Sequence, residues 1–319
     1  MSDSIQFITA FPRSESDATA FRFYHYNPTK ACAVIFGLLF MATTGVHMYQ
    51  SWRTRCWFVI PLIVGGICKQ QSPSLSSAFL IFKIQVETIG YFGRVASANE
   101  SPNWTLGPYI VQTLLLLVAP ALFAATIYMA LGRIITVVDG EGRALIPKKW
   151  LTKIFVAGDV LSFLLQGAGG GIQASGTLEG LENGTNIIIA GLFVQLFFFG
   201  LFIIVAVAFH LAIRKAPTGR SSSGIPWQLH MLALYVASVL IMVRSVFRVI
   251  EYLQGFNGYL LHHEIYLYIF DALLMLFTMI LFNLVHPSGI SAMINGGKPF
   301  NYEFQDGPSR HHRLGSNAA

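Results

Sequence analysis

Charge is what this sequence has least of. Asp, Glu, Lys and Arg make up 11% of its 319 residues, while 54% are hydrophobic. A water-soluble domain carries about 25% charged residues, so a soluble globular fold is excluded and a polytopic membrane protein is predicted. Cysteine is scarce too. Cys32, Cys56 and Cys68 all fall in or beside apolar segments, which excludes a disulfide framework and a cysteine metal cluster. The histidines of the apolar region (His47, His210, His230, His262, His263 and His286) form no H-x-x-x-H or H-E-x-x-H pair, so no metal site is expected. Residues 1–30 lack the short apolar core of a cleavable signal peptide. There is no Walker motif: Gly167–Gly171 is not followed by Lys-Ser/Thr and no strand precedes it, so ATP is not the expected energy source. No cofactor, no nucleic-acid partner and no enzymatic activity are expected. The net charge of +6 resides mostly in loops between apolar runs.

What is present is a series of apolar runs of bilayer length. They predict an all-α bundle of seven transmembrane helices over residues 31–287. A polar, extracytosolic arm (residues 1–30) precedes the bundle, and a disordered cytosolic tail (residues 288–319) follows it. The spans run from about Ala31 to Tyr49, Gly107 to Leu131, Ile154 to Ala174, Asn186 to Ile213, Gln228 to Tyr252 and Glu264 to Val285, with one irregular span between the first two of these. Pro120 is expected to kink the third span, and Gly167–Gly171 is read as close helix packing or local unwinding.

The irregular span is the second. Trp57–Ile67 is too short to cross alone, and Lys69–Ser74 breaks it. Without residues 68–85, Trp57–Ile67 would join Val86–Ser97 into one good span, which suggests an in-frame insertion such as a retained intron. The alternative is that Leu75–Val95 spans and Trp57–Ile67 is a half-helix. Sequencing the spliced transcript separates the two.

Loop charge orients the spans. The loops after spans one, three and five carry Arg53 and Arg55, then Arg133, Arg143, Lys148, Lys149 and Lys153, then Arg214, Lys215 and Arg220; the alternate loops carry no Lys or Arg. The positive-inside pattern therefore places the N-terminus outside and the C-terminus in the cytosol. The glycosylation sequons at Asn99, Asn103 and Asn183 fall in loops assigned to the outside.

The few charges inside the spans are the candidate functional residues. Charge at membrane depth costs several kcal/mol per group, so it needs a partner, a wet cavity or an interface. Arg244, Arg248 and Glu251 are spaced i, i+4, i+7 on one helix face, and Glu264, Tyr268 and Asp271 repeat that spacing on the next helix. Glu87, Tyr91 and Arg94 share a face of span two, and Asp159 and Gln166 share one of span four. These ten residues are read either as ion pairs that fix helix packing or as the polar lining of a substrate path. Within span interiors the acids are Glu87, Asp159, Glu251 and Asp271, and the bases are Arg94, Arg244 and Arg248. Asp159 has no basic partner in its own span, which makes it the candidate to meet a cationic amphiphile.

Three motifs carry a resemblance. E-T-I-G-Y-x-G-R from Glu87, G-D-x-x-S-F-x-x-Q-x-x-G-G-G from Gly158, and R-x-x-F-R-x-x-E from Arg244, followed by E-x-x-x-Y-x-F-D and His286-Pro287, resemble the fungal RTA-like lipid-translocating exporter family. The likeness covers roughly residues 22–290, with the block 68–85 as its departure. It implies a seven-helix protein of a fungal membrane, most readily the plasma membrane, that moves or handles amphiphilic lipids such as sphingoid long-chain bases or sterol-like toxins and gives resistance to them. Its partners would be membrane lipids and amphiphilic small molecules; the oligomeric state is left open. The alternative is a seven-helix sensor of lipid stress. Span three lacks a D/E-R-Y tripeptide and span seven lacks N-P-x-x-Y, which count against a receptor of the commonest kind. No internal repeat of the kind that frames alternating access is visible.

Overall fold

In lipid the backbone has no water to bond, so every segment that crosses must satisfy its own N–H and C=O groups, and a helix does so within one segment. The computed structural model follows that rule. It describes residues 29–53, 88–100, 106–173, 177–221, 227–255 and 258–285, and every regular element among them is helical. Besides a 3-10 turn (Glu141–Arg143) and a single helical turn (Tyr259–His262), the helices are α1 (Lys30–Arg53), α2 (described over residues 88–99), α3 (Leu106–Val137), α4 (Lys148–Gln173), α5 (Leu178–Lys215), α6 (Trp227–Leu253) and α7 (Glu264–Leu284). All but α2 are long and apolar enough to cross a membrane, giving six such helices among the described residues. The block 68–85 and Glu87 lie outside those residues, as do nearly all of the N-terminal arm and the whole C-terminal tail.

Several element ends differ from the sequence expectation. α5 starts at Leu178 rather than near Asn186, because Thr177 caps it: its side-chain oxygen accepts from the Gly180 N–H at 3.0 Å, and Glu179 sits in the first turn. Asn183 is consequently on an exposed face of a helix, not in a loop. α3 continues through Pro120 to Val137 and ends where Asp139 takes a left-handed conformation (φ 52°). The Gly167–Gly171 run is not unwound, since α4 continues to Gln173.

α4 packs on α5 along most of its length, and glycine makes the approach possible. A Cβ at Gly169 would stand 2.6 Å from the Gly184 carbonyl oxygen, and one at Gly191 would stand 3.0 Å from that of Ser162. Gly158 lies directly under the Phe198 ring. α3 packs against both α4 and α6, α6 against α7, and α7 against α1. A buried aromatic cluster of Tyr128, Phe155, Phe199 and Phe202 joins α3, α4 and α5, with the Tyr128 and Phe202 rings 4.5 Å apart. The outer surface is apolar as well. Leu164, Phe197, Ile204, Leu232 and Val239 are each more than half exposed, which in a membrane protein is contact with acyl chains.

Candidate functional site

Three ion pairs hold the charges inside the spans, two of them between helices and one within a helix, and one acid stands apart from them. The first contact is built on Arg94 of α2, a buried side chain with 1% exposure. Its Nη2 donates to Glu264 Oε1 at 2.7 Å, and its Nε donates to the Tyr268 hydroxyl at 3.2 Å. The Tyr268 hydroxyl in turn donates to Glu264 Oε1 at 3.1 Å. Both carboxylate oxygens of Glu264 also accept from the Thr29 N–H, at 3.0 and 2.9 Å, at the very start of α1. A helix N-terminus presents unpaired N–H groups and partial positive charge, so a carboxylate from another helix satisfies it well. One acid thus ties α1, α2 and α7 together. Around it, Phe36 stacks on both Tyr268 and Tyr91, and Phe40 stacks on Tyr91.

The second contact lies deeper. Arg244 of α6 forms an ion pair through Nε with Asp271 of α7, both side chains being almost fully buried. Its Nη2 donates to the Leu116 carbonyl of α3 at 3.1 Å. That carbonyl is a specific target. Pro120, four residues on, has no N–H to give it, so an unpaired acceptor would be left inside the bundle. Arg244 fills the position and spends its charge on Asp271. Tyr268 and Asp271 belong to a π-helical turn, Tyr268–Leu273, a departure from α geometry that is frequent at functional positions.

The third contact stays within α6. Arg248 Nη1 donates to Glu251 Oε2 at 2.6 Å, and the guanidinium lies over the Tyr252 ring, 5.2 Å from its centroid. Of the two charged stripes, therefore, Arg244 reaches across to Asp271, Glu264 and Tyr268 turn to Arg94, and Arg248 and Glu251 pair with each other.

Asp159 of α4 is the exception. It is buried to 3% exposure, and neither carboxylate oxygen has a hydrogen bond or ion pair among the described residues. The Tyr128 hydroxyl of α3 lies beside it and has no hydrogen bond to any other group among the described residues. One and two turns further along the same face of α4 come Ser162 and Gln166. Ser162 Oγ donates to the Gly191 carbonyl at 2.7 Å. Gln166 Nε2 donates to Ser162 Oγ at 2.6 Å and to Gln195 Oε1 of α5 at 3.2 Å, leaving Gln166 Oε1 buried and unpaired among the described residues.

Thr29, the Leu116 carbonyl, Tyr128, Ser162 and Gln195 are the participants that sequence reasoning missed. Pro120 was a signal for one of them, because a proline in a buried helix always frees the carbonyl four residues earlier. Ser162 was visible as the polar residue between Asp159 and Gln166. A tyrosine in an apolar span carries no comparable mark, and a backbone N–H carries none. Of the sequons, Asn99 is exposed at the end of α2, Asn183 is in the second turn of α5, and Asn103 lies outside the described residues.

Comparison with known proteins gives a consistent result. The family model described as RTA1 like protein matches residues 80–293. Protein RTM1 of Saccharomyces cerevisiae is 37% identical, covering 84% of this chain and 93% of its own length. Protoporphyrin uptake protein 1 of the same species is 36% identical, covering 83% and 92%. More distant is the sphingoid long-chain base transporter RSB1 of Saccharomyces cerevisiae, 26% identical over 80% of this chain and 69% of its own. The family match begins inside the block 68–85, the place where the sequence departs from the expected pattern. No solved structure matches.

Proposed function

This chain belongs to the RTA1-like family, and from that premise we propose that it moves amphiphilic lipids across its membrane, with single-chain amphiphiles bearing an ammonium head as the substrate class. The observation that carries the reading is the unequal treatment of buried charge. Arg94, Arg244 and Arg248 each have a carboxylate partner, whereas Asp159, as buried as Arg94 and Arg244 and more so than Arg248, has none among the described residues. The pairs of Arg94 and Arg244 fix helix packing. A lone acid inside an apolar bundle is costly to a scaffold and useful to a site that receives a cation. A relative named for sphingoid long-chain bases, which are cationic single-chain amphiphiles, points to the same substrate chemistry. The protein works without catalysing a reaction, and the plasma membrane is its proposed site of action, with the N-terminus outside and the C-terminus in the cytosol.

The test is flux. Reconstituted liposomes should move a labelled long-chain base faster than protein-free liposomes, and the same preparation should bind it saturably. Saturable binding with no flux would replace transport by sensing.

A further inference from the structure

An ionised carboxylate buried without a cation is not a stable resting arrangement: the desolvation cost of such a charge is several kcal/mol. Among the described residues, Asp159 is in that position. Tyr128 of α3 is the titratable group beside it, and α4 itself places Ser162 and Gln166 one and two turns further along the same face. The charge of the carboxylate is then cancelled by a proton or by a bound cation.

We propose that Asp159, with Tyr128 beside it, is an exchange site at which a proton and the ammonium head of an amphiphile occupy the carboxylate in turn. The inference rests on the lipid-handling reading above and adds how the movement is driven. In the empty site the carboxyl carries its proton. When an ammonium head enters, the O–H bond of the carboxyl breaks, the proton leaves to water, and the ammonium takes its place as the counter-charge. Release of the amphiphile reverses the step, and a proton is taken up again. No electron changes hands, and the site is neutral in both states, so the exchange is one cation for one proton. Tyr128 suits both states, because a phenol accepts from a protonated carboxyl and donates to an ionised one.

The test is a proton count. Purified full-length protein in detergent is titrated near neutral pH with a long-chain primary amine, which is a cation there, in weak buffer with a pH indicator. Micelles without protein are the blank. The parent protein should release about one proton per amine bound. Asp159→Asn should release none, and Tyr128→Phe should bind more weakly while still releasing the proton. The count on the parent requires no variant, so a poorly folding variant does not remove the test. Binding without proton release overturns the exchange and leaves lipid handling standing, as does an Asp159→Asn protein that releases as many protons as the parent. No saturable binding, together with no flux in liposomes, overturns both.

Discussion

At the scale of the residue, the decisive contrast is between Arg244 and Asp159. Arg244 holds an ion pair with Asp271 and fills the carbonyl that Pro120 leaves free, so it serves two helices besides its own. Removing one partner of a buried pair strands the other charge and costs about 3–5 kcal/mol. Arg244→Ala should therefore lower the thermal stability of the purified protein sharply. Arg244→Met combined with Asp271→Leu should recover part of the loss, since no charge is then stranded, although the Leu116 carbonyl still lacks its donor. Asp159→Asn should behave in the opposite way and leave the unfolding temperature unchanged or higher, because it replaces a buried carboxyl that has no ion-pair partner among the described residues. If Asp159→Asn destabilised the protein as much as Arg244→Ala, the acid would be part of the scaffold and would have a partner in the remaining chain. A growth assay on toxic long-chain base, with surface expression measured alongside, completes the contrast: Asp159→Asn should be present at the surface and fail to protect.

At the scale of the element, the α4–α5 pair shows what a sequence conveys and what it withholds. The glycines of α4 were legible as a packing signal, because without a hydrophobic drive between helices in lipid, small residues set the approach distance. Which glycine does the packing was not legible. Gly169 abuts Gly184 and Ile188 of α5, whereas Gly167, Gly170 and Gly171 face open space, and the phase of the contact fixes that difference. Gly169→Val should accordingly cost about 1–3 kcal/mol through overpacking. Gly170→Ala should leave stability unchanged or slightly higher, because alanine is the better helix former. Thermal unfolding of the two variants side by side checks the assignment, and equal behaviour would contradict it. The start of α5 was hidden for a related reason. Hydropathy marks where a segment becomes apolar, but Thr177 and Glu179 begin the helix two turns before that point. The charged stripes were legible as to membership, since their spacing follows from helical period. Their pairing was not, because whether Glu264 meets Arg94 or Arg248 depends on how three helices are rotated about their axes.

At the scale of the whole molecule, the charge pattern of the loops and the packing of the bundle support one orientation. The Thr218 hydroxyl donates to the Val138 carbonyl, and the position of a Cβ on Gly140 would fall against Phe209 and Ile213. The basic segments after α3 and after α5 therefore share one end of the bundle. The other end carries the start of α1 with Glu264, the end of α2 with Asn99, and the start of α5 with Glu179 and Glu182. Positive charge resists translocation, so the basic end is the one expected in the cytosol. α1 begins at the opposite end, with the Thr29 N–H held by Glu264 at the start of α7; α7 runs from there toward the basic end. Both helices point the same way, which requires an odd number of crossings from α1 to α7 inclusive. The six helices long enough to cross supply an even number. An odd count is therefore expected to include α2 as a further crossing. Tags at residues 1 and 319 should accordingly report opposite sides of the membrane, the C-terminal one cytosolic, and a tag between residues 54 and 57 should report the cytosol. Protease protection in sealed vesicles reads all three. Both termini on one side would mean that α2 does not cross, and the shared contact of Thr29, Arg94 and Glu264 would then be incompatible with the membrane-embedded fold.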